Sequence, residues 1–482
     1  MKTFLLLGPP GTGKTTHLLN IMDGKLKQGY RPDEIAFVAF TKSAAKEALT
    51  RGKKKFGFNQ NELPHVRTIH SFCFREINAT RNMMLDRKDF ENISNTTGFQ
   101  TTGIIDPEEG LPPESGDFLL SLINLGRSRC EPLEKVWEKS NADIPIDHLN
   151  YFNSMYMKYK NDFGKMDFTD QLENYLMYGE PVRCKIVIID EGQDLSTLQW
   201  HVIKKAFNDA EQWYIAGDDD QAIYKWSGAD VNYFLSMETD ERKVLRQSWR
   251  LPAAPFAVAK KIANSIKHRY DKKFYPKMTI GKVERIISLD YIDFLPNESY
   301  FILVRNKKFF WDIRNQLEVK GVYYSVKGKA FVSSDDIDLI YTYEKFRKGM
   351  AISKTKYEQL FGHQCPTKKV LLRDLINAEK IVTTPWFDAL KQIPLYKRNY
   401  YRVLLQNGYN LKEKPKVNLS TIHGVKGNEA DNVILYPDML YKSFEEYQNA
   451  PDNEHRVFYV GATRTRNNLF IVSPSTEMHY NI

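Results

Sequence analysis

Short apolar runs alternate with longer amphipathic ones over the first quarter of the chain. TFLLL (Thr3–Leu7), IAFVAF (Ile35–Phe40) and VRTIH (Val66–His70) have the length and β-branched or aromatic content of buried strands, while Thr15–Gln28 and Ser43–Arg51 carry apolar residues at helical spacing. CKIVIIDE (Cys184–Glu191) and QWYIAGD (Gln212–Asp218) resume the strand pattern. Strands that are apolar throughout and separated by helices predict a parallel sheet covered on both faces, a doubly wound α/β domain. From about Ala79 to Lys165 the rhythm gives way to helical segments such as DFLLSLINLGRS and LNYFNSMYMKYK, which read as a helical insertion. A second alternation follows Arg250, with a helix over Pro252–Arg269, strands at VERIISL, YFILVR and VYYSV, and the helical FFWDIRNQLEVKG among them. Lysine-rich, mostly helical sequence from Tyr341 to Lys414 interrupts this second lobe before KVNLSTIH, NVILYP and NLFIVS restore the strands.

Composition changes this picture little. With 482 residues, 42% hydrophobic and 27% charged, the chain has globular composition and is long enough for more than one core. A net charge of +9 fits a polyanion partner. Four scattered cysteines (Cys73, Cys130, Cys184, Cys365) lack metal-ligand spacing and predict reduced thiols in a cytosol-like compartment. The opening MKTFLLL is too short and lacks the cleavage segment of a signal peptide, and no window is apolar enough to span a bilayer, so a cytoplasmic location with no membrane partner is expected.

The chemistry begins at GPPGTGKT (Gly8–Thr15), which matches the phosphate-loop pattern and lies between a strand and a helix. Gly8, Gly11, Thr12 and Gly13 bring backbone N–H groups toward phosphate oxygens, Lys14 neutralises the β- and γ-phosphates, and Thr15 offers a hydroxyl to Mg²⁺. IVIIDEGQD ends a buried strand on two acids. Asp190 is expected to hold Mg²⁺ and Glu191 to take the proton of an attacking water, which favours ATP hydrolysis over transfer to a small acceptor. GDDDQAIYKWSGA (Gly217–Ala229) ends another strand at the same sheet edge: Gln221 can sense the γ-phosphate, while Tyr224 and Trp226 are candidates for base stacking, with core packing as the plainer alternative.

These residues resemble the UvrD/Rep-type superfamily 1 helicases. The motifs follow family order: GPPGTGKTT, AFTKSAAKEAL, RTIHSFC, DFTDQL, IIDEGQD, GDDDQAIYKWSGA, LRQSWRLP, LSTIHGVKGNEADNVIL and EHRVFYVGATRTR. The resemblance implies two RecA-like P-loop domains with ATP and Mg²⁺ between them, driving movement along single-stranded DNA and at single-strand/duplex junctions, usually 3′ to 5′. It divides the chain into a first RecA-like domain (1–78 and 166–249), a helical insertion (79–165), a second RecA-like domain (250–340 and 415–482) and a reduced second insertion (341–414). It also implies that Arg250 and Arg464 contact the γ-phosphate, that Trp249 stacks on adenine, and that Glu429 binds the ribose. Phe40, Tyr224 and Trp226 match the aromatics that hold bases, and Thr41, His70, Arg305, Thr421 and His423 fall at or beside backbone-contacting positions. The compact size suits a phage-encoded member.

Several positions depart from the family pattern. The sequence begins seven residues before the phosphate loop, without the upstream glutamine segment, and Thr16 stands where an adenine-contacting arginine is common, so relaxed base selectivity is expected. Ser227 replaces the arginine usual after the tryptophan. GPPGTGKT itself looks more like the branch of opposite, 5′ to 3′, polarity. RGKKKFG (Arg51–Gly57) reads either as a solvated run or as a phosphate contact. Two further readings stay open: a non-catalytic DNA-binding protein derived from a motor, and the motor subunit of a nuclease complex whose cutting is done by another chain.

Overall fold

The computed structural model describes residues 1–482 apart from 40–41, 59–60, 106–110, 141–142, 363, 365–368 and 376–377; of 42, 43, 374 and 378 it describes the backbone alone. The chain divides into two compact units, one of Met1–Lys282, Met439–Thr463 and Ile482, the other of Val283–Asp438 and Arg464–Asn481.

Six strands form the sheet of the first unit: β1 (Lys2–Leu7), β2 (Ile35–Ala39), β3 (Val66–Thr68), β4 (Ile186–Asp190), β5 (Gln212–Gly217) and β6 (Glu241–Val244). They run in the order β3-β2-β4-β5-β1-β6, and every pair is parallel. Because side chains alternate along a strand, Leu6, Ile35, Phe37, Ile186 and Ile188 meet α1 (Lys14–Lys27) and α2 (Lys42–Phe56) on one face. On the other face Leu5, Leu7, Ala36, Val38, Val187 and Ile189 meet α3 (Ile69–Glu76) and residues that follow in the chain. The doubly covered parallel sheet is therefore present in its packing as well as its topology. One strand was not legible in the sequence: β6 is charged and exposed, as an edge strand is free to be. VRTIH is shorter than expected as a strand, since Thr68 caps α3 by accepting a hydrogen bond from the Ser71 backbone N–H, and His70 is helical.

The stretch 79–165 contains α4 (Arg87–Thr97), α5 (Gly116–Arg129), α6 (Leu133–Ser140) and α7 (Ile146–Phe163). Ile93, Phe118, Leu119, Ile123, Val136, Leu149, Phe152 and Tyr156 give these helices a core of their own. The chain returns to the sheet through α8 (Phe168–Tyr178) and α9 (Thr197–Ala206), which place Leu172, Tyr175, Trp200 and Ile203 on its second face.

The segment after Arg250 stays with the first unit as far as Lys282. Its attachments explain why: Arg269 and Lys272 form ion pairs with carboxylates of the Gly217–Ala229 loop, and the Tyr270 backbone N–H donates to Asp219 at 2.7 Å. Asp452, from the returning segment 439–463, accepts from the backbone N–H groups of Lys267 and His268.

The second unit carries β7 (Lys282–Ile286), β8 (Tyr300–Val304), β9 (Tyr324–Val326), β10 (Lys329–Ala330), β11 (Ile352–Ser353), β12 (Lys369–Val370), β13 (Val417–Thr421), β14 (Ala430–Leu435) and β15 (Thr465–Val472). Seven of them form a sheet in the order β10-β9-β13-β8-β14-β15-β7, while β11 and β12 form a separate antiparallel pair. The central pairs are parallel. The expected interruption at 341–414 is mostly helical, yet Tyr343, Phe346, Leu360, Tyr400 and Leu404 share one core with Tyr300, Ile302 and Leu419 of the sheet. It is packed as part of this unit. Among the described residues no helix is long and apolar enough to cross a membrane.

Candidate functional site

The loop after β1 turns sharply into α1, with Gly11 and Gly13 at φ of 72° and 81°. Gly11 has a second constraint, because a Cβ there would stand 2.3 Å from the Cβ of Arg250. The Thr12 hydroxyl donates to the Pro9 carbonyl at 2.8 Å, and the Lys14 ammonium donates to the Gly8 carbonyl at 2.8 Å while lying 3.8 Å from Glu191. These contacts curl the loop around its own lysine. Thr16 faces outward.

Thr15 and the end of β4 meet directly: the Thr15 hydroxyl donates to Asp190 at 2.7 Å. Asp190 is buried, and that burial, helped by the neighbouring Glu191, pushes its carboxyl up to about 6. A hydroxyl and a buried carboxylate side by side are hard oxygen donors of the kind magnesium takes. Glu191 adopts left-handed backbone (φ 56°, ψ 44°), uncommon for a residue with a Cβ, and its N–H donates to Asp190 at 3.0 Å.

Gln193, which was not singled out from the sequence, joins the two acidic segments. Its amide N–H group donates to Glu191 at 2.7 Å and to Asp194 at 3.1 Å, and its amide oxygen accepts from the backbone N–H of Asp218 at 2.9 Å. Asp218 in turn accepts from the Gln221 amide at 2.7 Å. The only sequence signal for Gln193 is a polar amide just past a buried strand.

The three acids of the Gly217–Ala229 loop turn inward. Asp218, Asp219 and Asp220 are wholly buried, and Lys272 forms ion pairs with all three, at 2.8 Å to Asp218 and 3.1 Å to Asp220. Arg269 binds Asp220, and Arg456 donates to the Asp219 carbonyl at 2.9 Å. Burial would raise the Asp218 carboxyl, but Lys272 and then Lys14 outweigh it and hold the group below its ordinary value. The cluster is an internal ion network, and the described residues contain no group of acids, histidines or cysteines arranged to ligate a metal.

Beyond it the loop surfaces. Tyr224 and Trp226 lie edge to face with ring centroids 6.2 Å apart, and Trp226 is 41% exposed, which favours stacking over core packing for that ring. On the far side of the phosphate loop, Ser248 donates to the Pro10 carbonyl and the Trp249 N–H to the Gly11 carbonyl, both at 2.8 Å. These bonds leave the Trp249 side chain 75% exposed beside the loop and bring Arg250 against Gly11. Gly8, Gly11, Thr12, Gly13, Lys14, Thr15, Asp190, Glu191, Gln221, Trp249 and Arg250 are thus all held by one connected set of contacts in the first unit.

The other candidates are more dispersed. Phe40 and Thr41 lie outside the described residues. His70 stands edge-on to Phe168, with ring centroids 6.1 Å apart, and burial pushes its imidazole down to about 4, so it is neutral at pH 7. In the second unit Arg305, Thr421 and His423 gather at the ends of neighbouring strands, since Val304 pairs with Thr421 and its carbonyl accepts from the Ile422 N–H. Glu429 is bound by Arg466 at 2.8 Å. Arg464 is buried just before β15, with its carbonyl accepting from Ala430. In RGKKKFG, Arg51 and Lys55 are tied to the buried Asp23 of α1, a structural use of two of its cations.

Residues 1–242 match the UvrD/REP helicase N-terminal domain and residues 398–476 the UvrD-like helicase C-terminal domain. The ATP-dependent DNA helicase Rep of Buchnera aphidicola is 24% identical over 301 residues, 59% of this chain and 44% of that protein. The ATP-dependent DNA helicase PcrA of Staphylococcus aureus is 25% identical over 310 residues, 58% of this chain and 40% of that protein. A Mycoplasma genitalium protein named "Probable DNA helicase II homolog" is 24% identical over 496 residues, 91% of this chain and 68% of that protein. The match to Rep and to PcrA thus spans less than half of each relative's length. With half of the sequence covered by the first domain model, a phosphate loop joined to two acidic strand ends, and a C-terminal match as well, the chain belongs to the UvrD/Rep helicase family.

Proposed function

We propose that the chain is an ATP-driven DNA motor that hydrolyses ATP to move 3′ to 5′ along single-stranded DNA and acts at single-strand/duplex junctions. The observation that carries this reading is one unbroken hydrogen-bonded path. It runs from Thr15 through Asp190, Glu191, Gln193 and Asp218 to Gln221, on the loop that carries the half-buried Tyr224 and the exposed Trp226. A path from nucleotide chemistry to a stacking surface is what a coupled motor requires.

In this reading the phosphate-loop amides and Lys14 bind the triphosphate, and Glu191 takes the proton of the attacking water. Thr15 and Asp190 would hold magnesium, which when bound neutralises phosphate charge. Arg250 and Arg464 supply cations to the γ-phosphate, Trp249 stacks on the base and Glu429 serves the ribose. Gln221 spends its amide on Asp218, so approach to a γ-phosphate would exchange that bond and pull on the segment bearing Tyr224 and Trp226. Those rings are the proposed contacts for the strand, and Phe40, Thr41, His70, Arg305, Thr421 and His423 are further candidates for contacting it. The parallel sheet of each unit is the proposed centre of one RecA-like lobe, with 79–165 as an insertion in the first.

The test measures ATP turnover with and without single-stranded DNA, then strand displacement from duplexes tailed at the 3′ or the 5′ end. Turnover stimulated by DNA and displacement from the 3′ tail are expected. Turnover indifferent to DNA would overturn the motor reading, and displacement from the 5′ tail alone would reverse its polarity.

A further inference from the structure

The last turn of α5, Arg127–Cys130, touches three different parts of the first unit with four successive residues. Arg127 is anchored to α8 through Asp167 at 2.7 Å, Asp170 and Glu173. Ser128 lies under Gly228, where a Cβ would come within 2.5 Å of the Ser128 Cβ. The Arg129 guanidinium donates to the backbone carbonyl of Lys225 at 3.0 Å. Cys130, in left-handed backbone at φ 56°, sets its thiol 3.7 Å from the His201 imidazole of α9.

Sequence explains how the turn is made. The Cys130 N–H donates to the Arg127 carbonyl and the Glu131 N–H to the Gly126 carbonyl, a reversal that ends the helix and frees its final side chains to point outward. Lys225 and Gly228 flank Trp226 in the chain, and Gly228 sits at φ 94°. The opposite side of the loop is held by a bridge between Ser196 and Ala229 and by the Asp230 N–H donating to the Leu195 carbonyl at 3.4 Å. Of the loop's contacts, those with Ser128 and Arg129 come from the 79–165 stretch, while Leu195 and Ser196 directly follow the acids of β4.

We propose that Arg129 is a positioning residue for DNA binding: from the helical insertion it fixes the Lys225 carbonyl and thereby the stacking geometry of Tyr224 and Trp226. This rests on the motor reading above and deepens it by giving the insertion a role in setting affinity for single-stranded DNA. An ionised donor makes a stronger bond to a carbonyl than a neutral one does, and here it reaches the loop from a half-buried side chain. Arg127 keeps the turn rigid, because its three carboxylates belong to the helix that follows the insertion. A loop without the Arg129 tether would still fold, held by Ser196 and Leu195, but its rings would sample more orientations before a base arrives.

The experiment compares the full-length parent with Arg129→Ala and Arg129→Lys, titrating an unlabelled oligo-dT while following ATP turnover. Arg129→Ala should need about tenfold more DNA for half-maximal stimulation, the equivalent of ~1.4 kcal/mol. Its DNA-independent turnover, its KM for ATP and its melting temperature should match the parent. Arg129→Lys, which keeps a cationic donor, should recover part of the loss. Half-maximal stimulation at the parent's DNA concentration in Arg129→Ala overturns the proposal. So does a loss that comes with an equal fall in DNA-independent turnover and melting temperature, which would mark the contact as general scaffolding. If the parent itself is not stimulated by DNA, the motor reading fails and takes this proposal with it.

Discussion

Replacing Gln193 by leucine would test the hydrogen-bonded path at its middle. The substitution keeps the volume of a fully buried side chain but removes two donated bonds, to Glu191 and Asp194, and one accepted from the Asp218 N–H. A buried N–H left without an acceptor costs about 1–3 kcal/mol, and bonds to charged groups contribute about 1.5–3 kcal/mol each before compensation by water. Because Glu191 is partly exposed and recovers solvent, a net loss of about 3 kcal/mol is the reasonable expectation. The catalytic effect should be larger than the stability effect. With Glu191 released from its tether and Asp218 from its seat, a displacement on the order of 1 Å lowers turnover by about 10²-fold. The assay is ATP turnover at saturating nucleotide and DNA, with thermal melting on the same samples. A folded Gln193→Leu protein with the parent's turnover and the parent's stimulation by DNA would refute the idea that this path carries the coupling.

Three further outcomes follow from single contacts. Trp249→Ala should leave stability within about 0.5 kcal/mol, since the side chain is 75% exposed, while raising the KM for ATP by the loss of ~1–3 kcal/mol of stacking; nucleotide titrations check it, and an unchanged KM removes Trp249 from the binding site. Lys272→Met removes the lysine that pairs with three buried carboxylates, of which Asp220 also has Arg269, and should destabilise the first unit by about 3–5 kcal/mol, read by denaturant titration, whereas Lys272→Arg should lose much less. His65 is 9% exposed, and burial, with Arg75 and Arg67 nearby, pushes its imidazole down to about 4 from an ordinary 6.5. The unfolded chain therefore takes up the proton first as pH falls. Stability present above pH 6.5 is lost progressively toward pH 4, by up to ~3 kcal/mol from this group, and His65→Leu should flatten that slope between pH 7 and 5 in denaturant titrations.

Much of this protein was legible because its signals are contiguous. β1, β2, β4 and β5 are short apolar runs whose burial on both faces suppresses any polar alternation. The phosphate loop is equally local, since its glycines, lysine and threonine act within one turn of backbone. Elements with weaker local character were missed or came out shorter than expected. The charged edge strand β6 gives no hydrophobic pattern, and VRTIH hides a helix start behind the Thr68 cap. The 341–414 stretch is helical and basic in sequence, and only the structure shows that its aromatic residues enter the core of the second unit.

The sequence by itself determined the apolar strands β1, β2, β4 and β5 and which reactive side chains follow β1, β4 and β5, because backbone periodicity and motif chemistry depend on near neighbours. Only the tertiary structure decided what those side chains face. Lys272 lies 53 residues beyond Asp219 in the chain, yet it ion-pairs with all three acids of that loop in the interior. Arg129 precedes Lys225 by 96 residues and still holds its carbonyl. Ion pairs and hydrogen bonds act over about 3 Å of space, whatever separates the partners in sequence. No pattern read along the chain can therefore assign them until the path of the backbone is fixed.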